Sequence, residues 1–126
     1  MSVKLSKSDA IARLYREQPN VNLDSNATHF ANINASKAVW WYDIPRKKVT
    51  SGSHEVLHIL AHDFSNNELH YLVVPTKYLC NNLGKLVIRK DKDSISLELS
   101  ARPSNFMQDI RPSGGHIHFS QFRQCQ

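Results

Sequence analysis

Two apolar runs, VLHILAHD and LHYLVVP, stand on either side of the short polar connection FSNNE. Few arrangements suit such a pair. Each run has strand length and is rich in β-branched and aromatic residues, and the Asn-containing link between them is a turn signal. An antiparallel hairpin is predicted, and the rest of the chain must pack around it.

The first run overlaps HEVLHILAH, which begins with H-E-x-x-H, the pattern of zinc metallopeptidase helices. That chemistry requires a helix, because i, i+4 spacing places both imidazoles on one face with the Glu beside the metal-bound water. Val56, Ile59 and Leu60 suit a helix and Ser53 offers a cap, but hairpin grammar opposes it. His54, His58 and His62 would be spread over about 12 Å of helix rise, too far to close on one ion. Ala61 and Phe64 occupy places where the longer zinc motif requires Gly and His. As a strand, the segment puts Leu57, Ile59 and Ala61 on one face and His58, Leu60 and His62 on the other, lining a half-exposed sheet surface. Whether His70 joins His58 and His62 depends on register, so metal binding by that trio stays open. His116 and His118 fall on one face of a strand expected at HIHFSQF.

Upstream, Ile11, Leu14 and Tyr15 recur at helical spacing opposite Arg13, Arg16 and Glu17. A helix over residues 6–18 is predicted, beginning at Ser6 or Ser8 with Ser8 as its N-cap, and closed by Pro19 and Asn20. A short strand is expected around Asp24, then THFANIN with Phe30 opposite Ala31 and Ile33, and then the aromatic strand KAVWWYDIP. RKKVTSGS reads as a polar, basic connection. After the hairpin, a short helix near residues 76–83 is expected, capped by Thr76 and ended by Gly84. KLVIRK and SISLELS form a strand pair about DKD, with Leu86, Ile88, Ile95, Leu97 and Leu99 inward. The predicted class is α+β: an N-terminal helix followed by a mostly antiparallel, hairpin-rich sheet. Residues 1–126 form a single domain, with the sheet core at 28–100 and a loop-rich segment at 101–126.

Sixteen Lys and Arg against eleven Asp and Glu give a formal charge of +5. A small basic domain is suited to a polyanion, since each neutralised phosphate releases condensed counterions. No segment approaches the ~20 apolar residues of a membrane span, and no signal peptide is read at the N-terminus. A cytoplasmic protein with reduced thiols is expected, Cys80 in the core and Cys125 in a frayed tail. No cofactor is expected.

Adjacent aromatics on a strand point to opposite faces, so Trp40 and Trp41 cannot share one side. One fills the core. The other lies either under the N-terminal helix or exposed beside Arg46, Lys47 and Lys48, a mixture that stacks bases and grips phosphates. Lys85, Arg89, Lys90 and Lys92 surround the later hairpin as a second basic cluster, and Arg102, Arg111 and Arg123 are scattered.

From Ala10 to Ser100 the order helix, Asp24, FANIN, VWWYDIP, hairpin and YLVVPTKYL resembles the core of restriction-endonuclease-like (PD-(D/E)XK) nucleases. By that resemblance Asp24 matches a metal-binding aspartate, while Asn32 and Asn34 occupy the acidic and lysine positions of E-x-K. Two neutral amides supply neither the second carboxylate nor the cation, so the resemblance implies binding without cleavage. The expected function is therefore non-catalytic binding of DNA or RNA through Trp41, Arg46, Lys47, Lys48, Arg89 and Lys90. The competing expectations are a metal-dependent nuclease using Asp24, Asp43 or Glu55, and an interaction module that homodimerises through an exposed strand and Trp.

Overall fold

The computed structural model describes residues 3–124. The element order is α1 (Lys7–Glu17), β1 (Thr28–Asn32), β2 (Val39–Pro45), α2 (Arg46–Thr50), β3 (Val56–Asp63), β4 (Glu68–Pro75), α3 (Thr76–Asn81), β5 (Val87–Arg89) and β6 (Ser94–Ser100). The class is α+β. The strands divide into two three-stranded sheets, β1-β3-β4 and β2-β6-β5, and β1 with β3 is the parallel pair.

The hairpin is β3–β4, with Ala61 opposite His70 and Asp63 opposite Glu68. Its turn is tied by the Asp63 carboxylate, which accepts from the backbone N–H groups of Ser65 and Asn66, while Asn67 takes the left-handed conformation at φ 53°. H-E-x-x-H thus lies at the start of a strand, and no helix carries it.

Strand β3 is central and covered on both faces. Leu57, Ile59 and Ala61 meet Trp40, Tyr42, Ile44, Ile95, Leu97 and Leu99 of the second sheet in the main core. On the opposite face Leu60 and Tyr71 pack against Ala10 and Leu14 of α1. This double cover explains the near-continuous apolar run and corrects the half-exposed histidine surface. His58 is 8% and His62 1% exposed, because α1 and its flanking segments close over them. His58 Nδ1 sits 2.8 Å from the Tyr71 hydroxyl. His62 Nδ1 sits 2.8 Å from Asn32 Oδ1, and the Asn32 amide also exchanges both backbone hydrogen bonds with Leu5. His70 pairs with Ala61 and so lies on the other face, which separates it from His58 and His62.

Two side chains fasten the sheets together. The Trp40 indole N–H donates to the His62 carbonyl at 3.1 Å, and the Tyr42 hydroxyl donates to the Leu60 carbonyl at 2.7 Å.

Several local expectations are corrected. Ser6, not Ser8, caps α1, accepting from the Asp9 N–H. Asp24 lies in no strand; it caps a 3₁₀ turn at Ser25–Ala27 through the Asn26 N–H. RKKVT is the short helix α2, since Pro45 ends the strand in a conformation that leads into a helical turn. Thr76 is the first residue of α3, and its hydroxyl donates back to the His54 carbonyl. The helix stops at Asn81, and Gly84 sits in a following 3₁₀ turn without a left-handed φ. HIHFSQF forms no strand: His116 is left-handed at φ 55°, leaving one bridge between Gln108 and His118 and a turn at Ser120–Phe122. Cys80 is exposed rather than core, its thiol directed at the Val49 carbonyl, and Cys125 lies outside the described residues.

Replacing Tyr42 by Phe leaves the ring in place and deletes the inter-sheet bond, so urea unfolding should show a loss of about 1–2 kcal/mol with an unchanged slope. Acid should also weaken the fold. Burial, then the nearby charges of Lys48 and Lys7, pull His29 from 6.5 to about 4, and its Nε2 is buried without a partner. Below pH 6.5 the unfolded chain takes up a proton that the folded chain refuses, so stability falls from pH 6.5 to 4 and levels off beneath. The loss from His29 is on the order of 3 kcal/mol. Burial lowers His58, His62 and His70 as well, adding in the same direction. Urea midpoints at pH 7 and pH 5 should converge in His29→Gln relative to the parent.

Candidate nucleic-acid interface

Alternation along β2 decides what the second sheet shows to solvent. Trp40, Tyr42 and Ile44 point inward, so Trp41, Asp43 and Pro45 point outward. Trp40 is 1% exposed and Trp41 43%. The reading in which α1 covers the second tryptophan is therefore corrected: α1 packs on the other sheet.

Register sets the neighbours of Trp41. It lies opposite Glu98, Asp43 opposite Ser96, and Pro45 opposite Ser94, while Val87 and Arg89 of β5 face Ser96 and Ser94 from the other side. Ser96, a small residue on the central strand between taller ones, makes a floor, with Ser94 next along the same face. Trp41, Arg89 and Arg111 stand around it, enclosing a shallow depression of about 260 Å³.

The charges are partly paired. Arg89 reaches Asp43 at 3.4 Å and Asp91 at 3.1 Å, Lys92 reaches Asp43 at 4.0 Å, and Arg111 reaches Glu98 at 4.0 Å. At the same end Arg46 bonds Asp93 at 2.7 Å; that hydrogen bond, with the charge of Arg46, holds the Asp93 carboxyl below its usual range. Lys37 lies 5.3 Å from the centre of the Trp41 ring. Asp109 underpins the face, its buried carboxylate accepting from the backbone N–H groups of Glu98 and Arg111. Burial raises its pKa.

Of the six residues expected to bind, Trp41 and Arg89 line or border one depression, and Arg46 and Lys47 join them at the Asp93 end. Lys90 sits exposed at the β5–β6 turn. Lys48 departs from the group, because its charge bears on His29 near β1. Lys37, Arg111, Ser94 and Ser96 belong to the face and were missed. The alternation of Ser94, Ser96 and Glu98 with Ile95, Leu97 and Leu99 carried the signal for the serines. Arg111 comes from an irregular segment, where no periodicity announces it.

The positions matched to the nuclease motif lie apart in structural roles. Asp24 is 3.7 Å from His54, Asn32 clamps Leu5, and Asn34 accepts from Ser36 and the Lys37 N–H to close the turn into β2. No group of three or more His, Cys, Asp or Glu able to hold a metal ion occurs among the described residues. No helix among them is long and apolar enough to cross a membrane.

Comparison with protein-family models, curated proteins and solved structures returns no match.

Acrylamide should quench the emission of Trp41 readily and that of Trp40 hardly at all. A Trp41→Phe variant should therefore lose most of the quenchable fluorescence while keeping the parent's unfolding free energy within about 0.5 kcal/mol.

Proposed function

We propose that this chain binds single-stranded nucleic acid on the outer face of β2-β6-β5, without catalysis, in the cytoplasm. The observation that carries the reading is the exposed Trp41 ring beside a serine-floored depression bordered by Arg89 and Arg111. A base stacks on an aromatic face whatever its sequence, and arginines beside it meet the flanking phosphates. A flexible single strand can place a base against Trp41, whereas a duplex keeps its bases stacked inside. The Ser96 hydroxyl adds a small donor at the floor without filling it.

Local charge favours the same class of partner. Around this face Lys37, Arg46, Lys47, Arg89, Lys90, Lys92 and Arg111 stand against Asp43, Asp91, Asp93 and Glu98. Cations exceed carboxylates, and the exposed pairs are weak enough to exchange a carboxylate for a phosphate.

A fluorescently labelled single-stranded oligonucleotide, titrated at several salt concentrations, tests the reading. Binding should weaken with salt along a negative log–log slope. Trp41→Ala should cost roughly 5- to 100-fold in affinity, the worth of one stacked base, and Arg89→Gln should flatten the slope by about one. Binding that is absent, or indifferent to Trp41, would refute it.

A further inference from the structure

Away from that face, two clefts meet at the hairpin end of β4. One, of about 420 Å³, lies among α1, the hairpin turn and the C-terminal segment; the other, of about 380 Å³, lies against Trp40 and Phe106. His70, Glu68 and Arg123 line both. The volumes are those of small-ligand sites.

His70 is 8% exposed and its ring makes no hydrogen bond among the described residues. Edge contacts hold it, 5.6 Å from Trp40 and 5.2 Å from Phe106 between ring centres. Burial, then the charge of Arg123, lowers its pKa, so at neutral pH it carries one N–H donor and no charge. Arg123 rests on the Phe106 ring at 5.4 Å and has no carboxylate within 4.0 Å among the described residues. Its backbone is fixed, because residue 123 bridges to Leu72 and the Gln124 N–H donates to the Tyr71 carbonyl.

We infer that the paired clefts form a binding site for a small phosphate-bearing ligand, with its oxyanion held by Arg123 and His70. The donors converge from separate elements. Arg123 comes from the C-terminal segment, His70 from β4, Gln18 from the end of α1 and Asn67 from the turn. Donors on several sides match a tetrahedral group with three or four oxygens better than a planar carboxylate with two. The other arginine in the cleft, Arg13, is committed elsewhere, to Glu17 at 2.7 Å and to Asn67 through both remaining nitrogens. Three carboxylates border the clefts: Glu17 is held by Arg13, Asp63 accepts from the N–H groups of Ser65 and Asn66, and exposed Glu68, which lines both clefts, is the acid that opposes an incoming anion.

Titrating the ¹⁵N-labelled chain with inorganic phosphate, and separately with adenosine monophosphate, tests this site. Saturable shifts are expected at His70 and Arg123 with either probe. Arg123→Gln, an exposed position that leaves folding intact, should weaken binding at least tenfold. Glu68→Gln should tighten it about twofold or more, a change in sign that a structural role for Glu68 would not produce. Arg16→Gln, an exposed cation outside the clefts, and Trp41→Ala should leave it unchanged. No saturable shift at His70 and Arg123, equal losses in Arg123→Gln and Arg16→Gln, or tighter binding failing to appear in Glu68→Gln would each overturn the proposal. Because the Trp41 face is read with an oligonucleotide and this site with small phosphates, either can fail while the other stands.

Discussion

The carbonyls of Leu60 and His62 hold the two layers in register. They belong to the central strand of one sheet and are reached across the core by Tyr42 and Trp40 of the other. Each bond gives a buried donor its partner, which a Trp or Tyr inside a core requires. A slip of β2 by one residue would break both and turn Trp41 into the core. The exposure of Trp41 is thus a consequence of where Trp40 and Tyr42 must go.

The same double-sided packing governs the histidines. Strand β3 carries imidazoles on a face that α1 covers, and each finds a local partner: Tyr71 for His58, and Asn32 for His62. Asn32 does two jobs at once, since its amide also fixes the backbone of Leu5 ahead of α1. These contacts tie α1 to the first sheet, so that α1 does not cover Trp41 on the second. A pattern that spells a zinc helix is therefore explained by burial and helix docking.

Elements whose periodicity is strong were legible in the sequence: α1, the β3–β4 hairpin, and the β5–β6 pair with Ile95, Leu97 and Leu99 inward. What periodicity does not encode was missed. Helix α2 is five residues long, too short for a recurring face, and polar enough to read as a loop. The division of the strands into two sheets rests on β2 pairing with β6 across a long stretch of chain, a non-local contact that no window reports. HIHFSQF alternates like a strand, yet His116 adopts a left-handed φ that interrupts it. At the candidate face the same division holds: Trp41 and Arg89 came from strand patterns, whereas Arg111 arrives from the irregular C-terminal segment.

Charge pairing gives the two surfaces different physical characters. On the Trp41 face, Arg46 and Arg89 already have carboxylates within 4.0 Å, in solvent, where each pair is worth about 0–1 kcal/mol, and Arg111 has the partly covered Glu98. A polyanion bound as proposed would displace such pairs one at a time, and its affinity would be graded by the number of phosphates that arrive together. At the paired clefts, Arg123 has an aromatic ring where the others have an acid, and His70 contributes an uncharged donor from a nearly dry position. Fewer groups take part, and among the described residues neither Arg123 nor His70 has an ion pair to give up. On the proposed readings, the first arrangement suits a long, sequence-tolerant partner and the second a small one that fits.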